Sequence, residues 1–173
     1  MDMKKIITII AAFSLALSLN AQTSPAEELF NRYSERDGFT TVFISGRMFS
    51  LLAGKAVEDK DNIMRRLRAI RILTVDDPQI NSKINFYNEI EKKIDRRIYE
   101  ELMVVRDSRE TTKFLIRQKG DIISELLVVS SGPDVNTLIS IEGDLDLKTI
   151  SDISKNSGIE ELKGLDNIEK KVP

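Results

Sequence analysis

The segment that most limits how this chain can fold begins after Tyr99. Four strand-like runs follow one another, Glu101–Arg106, Thr111–Gln118, Ile122–Ser130 and Val135–Glu142, separated only by Asp107-Ser108-Arg109-Glu110, Lys119-Gly120-Asp121 and Ser131-Gly132-Pro133-Asp134. A parallel crossover needs about a dozen residues or more, so neighbouring runs must pair antiparallel, as a meander. Within Thr111–Gln118, Phe114 and Ile116 fall on one face and Lys113, Leu115 and Arg117 on the other. Leu126–Val129 is apolar on both faces. That pattern predicts a central strand with cover on each side, or with a partner covering one.

Upstream of the meander the signals are mixed. Ser24-Pro25-Ala26-Glu27 supplies an N-cap, a proline at the first helical position and a capping-box acid, and Leu29, Phe30 and Tyr33 form an apolar stripe behind them. Asp37-Gly38 ends that helix, Phe39–Ser45 reads as a strand, and a short helix is expected over Arg47–Ala53. Ile63, Leu67 and Ile70 recur at helical spacing, which predicts an amphipathic helix before a second strand, Arg71–Val75. Asp77 and Pro78 then cap and open a long helix to about Arg97, whose stripe is Ile80, Ile84, Tyr87, Ile94 and Ile98. Gly143-Asp144-Leu145-Asp146 turns the chain into a last helix with Leu147, Ile150 and Ile153 inward, stopped near Asn156-Ser157-Gly158. In the tail, Ile159, Leu162, Leu165 and Ile168 lie three residues apart, which leaves two outcomes open: docking as a short helix or turn, or fraying over residues 165–173. The expected fold class is α+β: a mostly antiparallel sheet of about six strands with a C-terminal four-strand meander and helices packed mainly on one face.

The first 21 residues read differently. Lys4 and Lys5 precede Ile6–Leu19, an apolar run interrupted only by Thr8, Ser14 and Ser18, and Asn20-Ala21-Gln22 closes it. This is the pattern of a signal peptide, residues 1–21, cleaved after Ala21 or alternatively after Ser18. The run is too short for a comfortable span, which takes about 20 residues, so no stable membrane span is expected after cleavage. Residues 22–173 then form a single exported domain. No Cys follows the leader, so the protein is expected to be periplasmic or envelope-associated and not lipidated.

The chain contains no His, no Cys and no Trp. Triads and dyads built on imidazole or thiol are therefore absent, as is His or Cys ligation of zinc, haem or iron–sulfur clusters. Neither Gly-x-Ser-x-Gly, Ser-x-x-Lys, Gly-x-Gly-x-x-Gly nor a phosphate-binding loop motif occurs. A net charge of −2 argues against a nucleic-acid binder, whose surface must neutralise phosphate.

Two charged clusters remain. Arg65, Arg66, Arg68 and Arg71 are the candidate anion patch, to which Lys92, Lys93, Arg96 and Arg97 would add if their helices lay side by side; a solvated face, with Glu89 and Lys93 as an i, i+4 pair, is the plainer reading. Glu142, Asp144 and Asp146 alternate where a strand meets a helix and so point the same way, as a Ca²⁺ site or a carboxylate-based hydrolase would need. Helix capping by Asp144 or Asp146, as by Asp77 before Pro78, is the competing and preferred reading. No catalytic residue, cofactor or metal ligand is assigned, and enzymatic activity is not expected.

Three blocks carry a resemblance: Phe39-Thr-Thr-Val-Phe-Ile-Ser-Gly-Arg-Met-Phe-Ser-Leu-Leu, Ile70-Arg-Ile-Leu-Thr-Val, and Tyr99-Glu-Glu-Leu-Met-Val-Val-Arg with the meander behind it. With the exported leader they resemble the Bacteroidetes family termed domain of unknown function 4252, over about Ser24 to Gly164. Many members look like lipoproteins, from which this chain departs in lacking the lipid-accepting Cys. The resemblance implies a small envelope protein with a regulatory or stress-response role and transfers no functional residue. The expected activity is non-enzymatic binding of an unknown envelope protein or small ligand, with homo-oligomerisation through Leu126–Val129 or an exposed edge as a further outcome.

Overall fold

A computed structural model describes residues 23–52 and 63–165. The signal-peptide expectation, residues 1–21, and the last part of the tail, residues 166–173, lie outside them. In chain order the elements are α1 (Pro25–Tyr33), β1 (Phe39–Ser45), α2 (Gly46–Leu52), α3 (Ile63–Arg66), β2 (Leu67–Val75), α4 (Pro78–Asn81), α5 (Phe86–Lys93), β3 (Tyr99–Arg106), β4 (Thr111–Lys119), β5 (Ile122–Ser131), β6 (Asn136–Leu145), α6 (Leu147–Ser157) and a 3₁₀ turn (Glu160–Leu165).

The six strands form one antiparallel sheet in the order β1-β2-β6-β5-β4-β3. The four-strand meander is present, and β2 inserts between it and β1 by pairing with β6. Strands β5 and β6 are the two central strands of the sheet and are buried almost end to end, as the doubly apolar Leu126–Val129 requires.

The helices do not gather on one face. Leu126, Val128, Ile139 and Ile141 face a core closed by Phe49 of α2, Ile150 and Ile153 of α6, and Leu162 and Leu165 of the 3₁₀ turn. Leu127, Val129, Leu138 and Leu73 face a second core closed by Ala26 and Leu29 of α1 and by Phe86 and Ile90 of α5. A sheet whose centre is apolar on both sides must be covered on both sides, which is why the one-sided arrangement fails.

Two elements depart from the sequence expectation for identifiable reasons. The helix expected through Ile63, Leu67 and Ile70 stops at Arg66, and β2 starts at Leu67, four residues before the expected Arg71. Leu67 and Ile70 still share a core, because the register slips between Leu67 and Ala69. A bulge puts residues an odd number apart on one face, and so imitates helical spacing.

The long helix expected from Pro78 to Arg97 is two short ones, broken over residues 82–85. Asn136, fully buried at the start of β6, donates from Nδ2 to the Ile84 carbonyl at 2.6 Å and accepts from the Phe86 amide at 3.0 Å. Asn85 caps α5 by accepting from the Asn88 amide at 2.9 Å. Backbone groups that a continuous helix would pair internally are met instead by side chains. Ile80, Ile84, Tyr87, Ile94 and Ile98 nonetheless all pack on the α1 side core, so the stripe was correct and its continuity was not.

The remaining boundaries follow their caps. Ser24 accepts from the Glu27 amide at 3.1 Å, Asp77 from the Gln79 amide at 2.7 Å and Asp146 from the Thr149 amide at 2.7 Å. Gly158 ends α6 at φ +69°, a conformation that favours glycine. Among the described residues no helix is long and apolar enough to cross a membrane.

Candidate functional site

The two charged clusters singled out in the sequence meet each other. Antiparallel pairing of β2 with β6 sets Leu67 opposite Gly143 and Ala69 opposite Glu142, so the arginines at the start of β2 lie beside the acids at the end of β6. Arg66 pairs with Asp146 at 3.0 Å, Arg68 with Asp144 at 3.1 Å, and Arg71 with both Glu142 and, at 3.0 Å, Glu27 of α1. Arg66 also donates to the Asp144 carbonyl at 2.6 Å. Arg65 is exposed on α3. The candidate anion patch and the candidate cation site are thus largely one set of ion pairs, which leaves neither an unbalanced field.

Asp146 does more than pair. Burial pushes its carboxyl up, but hydrogen bonds from Thr149 and the nearby Arg66 outweigh that and hold it below the usual carboxylate value. Among the described residues no group of three or more acidic side chains is placed to hold a metal ion. The second basic group behaves similarly: Lys93 pairs with Glu28 at 2.6 Å and Glu89 with Arg32 at 3.2 Å, both across to α1, in place of the expected Glu89–Lys93 contact.

On the α1 face a polar band crosses the sheet that no sequence motif announces. Glu125 of β5 is fully buried; its Oε2 accepts from the Tyr99 hydroxyl at 2.6 Å and faces Arg117 at 3.4 Å, and its Oε1 accepts from Ser140 at 2.8 Å. Register explains the gathering, since Tyr99 lies opposite Arg117 and Arg117 opposite Glu125. Burial, and then the Glu125 charge, push the Tyr99 phenol far above its ordinary value. A cleft of about 260 Å³ opens over this group, with Glu28, Lys93, Asp95, Tyr99 and Arg117 in its wall. Its charges are paired, and both Glu125 oxygens are occupied. Tyr99 is a fixed hydrogen-bond donor, not an activated base. Further along the same face Lys113, buried, sits between Glu91 at 2.6 Å and Glu101 at 3.0 Å, over the Tyr87 ring at 5.0 Å.

The opposite face holds a different kind of space. A cavity of about 580 Å³ lies between β1, β2, α2, α3 and the C-terminal helical segment, walled by Ile44, Phe49, Ile63, Leu67, Ile70, Ile72 and Ile153, with Met64, Asp152 and Ile159 also lining it. Its wall is overwhelmingly hydrocarbon. The sequence carried its residues as the Ile63, Leu67, Ile70 stripe, but reading that stripe as a single helix hid the concavity. Only the bulge in β2, with α3 ending at Arg66, turns Ile63 and Leu67 towards a common space.

No curated protein and no solved structure was found to match this chain. The profile of the family described as Domain of unknown function (DUF4252) matches residues 33–153, which spans β1 to the first turns of α6, and the chain belongs to that family.

Proposed function

We propose that this chain is an exported envelope protein that acts as a non-enzymatic binding or regulatory module, and that it takes a small, hydrocarbon-rich molecule into the cavity beside α2 and α3. The observation that carries this reading is the cavity itself: about 580 Å³ with an apolar lining. Small-molecule sites are concave, mostly apolar and about 300–1,000 Å³ in volume. Moving hydrocarbon from water into such a space gains about 25 cal/mol per Å² of apolar surface covered. Support against the Ca²⁺ or carboxylate-hydrolase alternative is local: Glu142, Asp144 and Asp146 each face an arginine, and Asp146 also caps α6.

Mass spectrometry of small molecules released from the purified protein tests the reading. Ile72→Trp fills the cavity from the half-buried β2 position, and its melting temperature reports whether the fold is intact. The wild-type protein is expected to carry a hydrocarbon-rich molecule that folded Ile72→Trp lacks; a wild type that carries none, or a variant that carries the same amount, removes the proposal. Export rests on residues 1–21, and fractionation of cells checks it: protein retained in the cytoplasm contradicts it.

A further inference from the structure

The two edges of the sheet differ in a way that identifies one of them as a pairing surface. Strand β3 closes one edge and is guarded: its register slips between Glu101 and Met103, and it carries Glu100, Glu101 and Arg106. Strand β1 closes the other edge and has none of these devices. Its sequence, Phe-Thr-Thr-Val-Phe-Ile-Ser, contains no charge and no proline, and it pairs with β2 in unbroken register from Phe39 opposite Val75 to Ser45 opposite Ala69. Val42 is 38 % and Phe43 56 % exposed. Among the described residues no strand pairs with the outer side of β1. A regular, uncharged, partly apolar edge is the type that natural proteins otherwise blunt with charge, proline or a bulge, and what satisfies its backbone is another strand.

We infer that β1 pairs with β1 of a second copy of this chain, antiparallel about a two-fold axis at Val42, joining two six-stranded sheets into one. The choice of a second copy rests on self-complementarity. A two-fold axis sets the residue on the axis against its own symmetry mate, and residues equally far to either side of it against each other, so a charge at the axis would repel its own copy. Here Val42 meets Val42, Thr41 meets Phe43, Thr40 meets Ile44 and Phe39 meets Ser45, all without charge. β-Branched and aromatic pairs of this kind stabilise adjacent strands. Directly opposite residues share a face, so each cavity-lining Ile44 stays on the cavity side of the joined sheet, and Phe43 stays on the other. There Phe43 already lies 5.3 Å from the Arg71 guanidinium and 6.3 Å from the Phe30 ring, which holds it in place for a partner strand. This inference concerns a different surface from the cavity and stands or falls separately.

Sedimentation of the purified wild-type protein over a range of concentrations is the first test, and the expected species is a dimer. Val42→Glu and Val42→Lys each set like charges face to face at the axis and raise the dissociation constant at least about fivefold, whereas an equal mixture of the two restores the dimer. Because the chain has no cysteine, a second variant fixes the register without a charge. Val42→Cys forms a disulfide-linked dimer on mild oxidation, since opposite Cβ atoms lie within about 5.5 Å, while Thr40→Cys, some four residues from its mate, does not. A wild type that stays monomeric at high micromolar concentration overturns the inference. So does a dimer that neither Val42 charge variant weakens, or one in which Thr40→Cys crosslinks as readily as Val42→Cys.

Discussion

The Tyr99 hydroxyl reaches the fully buried Glu125 carboxylate at 2.6 Å, joining the first strand of the meander to a strand two places away. Tyr99→Phe removes one of the three side chains that satisfy Glu125 and is expected to cost about 1–3 kcal/mol, read from urea unfolding. Tyr99 also sets an alkaline limit. Its phenol is raised in the folded state, so its contribution is fully present below the unfolded value of about 10 and declines as pH rises beyond it, because the unfolded chain loses that proton first. Absorbance titration of wild type beside Tyr99→Phe checks this: one tyrosine should fail to ionise until the chain unfolds.

Asn136 decides where the α4–α5 segment breaks. Asn136→Ala leaves the Ile84 carbonyl and the Phe86 amide without their buried partner, at a cost of about 2–4 kcal/mol for two such groups. Asn136→Asp keeps the acceptor and loses the donor, so chemical denaturation should place it between Asn136→Ala and wild type only if its carboxyl is protonated; at neutral pH it should be no better than Asn136→Ala.

Asp146 joins a helix cap to an ion pair. Asp146→Ala should cost about 1–2 kcal/mol through loss of the cap. The folded carboxyl is held below its ordinary value of 3.8, so the stability that it contributes is present above that pH and is lost as pH falls through the lower folded value. Ca²⁺ in millimolar excess should leave the melting temperature unchanged, where a site filled at 100 times its dissociation constant would add about 2.7 kcal/mol.

Gly143 lies opposite Leu67 where β2 bulges. A Cβ there would run into the Arg66 carbonyl oxygen, a backbone atom with little room to retreat. Gly143→Ala is therefore expected to cost about 1–3 kcal/mol and to loosen the three arginine–acid pairs next to it. Hydrogen exchange over β2 and β6 reads the effect: protection should fall at Leu67 and Ala69 before it falls at Leu73.

The meander was legible in the sequence because its connections are too short to permit any other pairing and because Gly120, Gly132 and Pro133 mark them. The caps at Ser24, Asp77 and Asp146 were legible for a similar reason, since each acts within three residues of itself. What stayed hidden was non-local. Nothing near Ile84 announces that Asn136, some fifty residues on, will take its carbonyl. The arginine and acid clusters each looked like a site because their pairing through β2 and β6 joins residues about seventy to eighty apart. The cavity was hidden twice, by a bulge that imitates helical spacing and by a helix that ends where its stripe continues.

The apolar cavity beside α2 and α3 is the proposed ligand site. Titration of the protein with a fluorescent fatty-acid probe, beside Ile72→Trp at equal concentration and with both melting temperatures known, tests it most directly. Saturable, one-to-one binding to the wild type is expected, with at least about a tenfold loss of affinity in the folded variant, since each tenfold step corresponds to about 1.4 kcal/mol. Non-saturable uptake, or equal affinity for the two proteins, would contradict it.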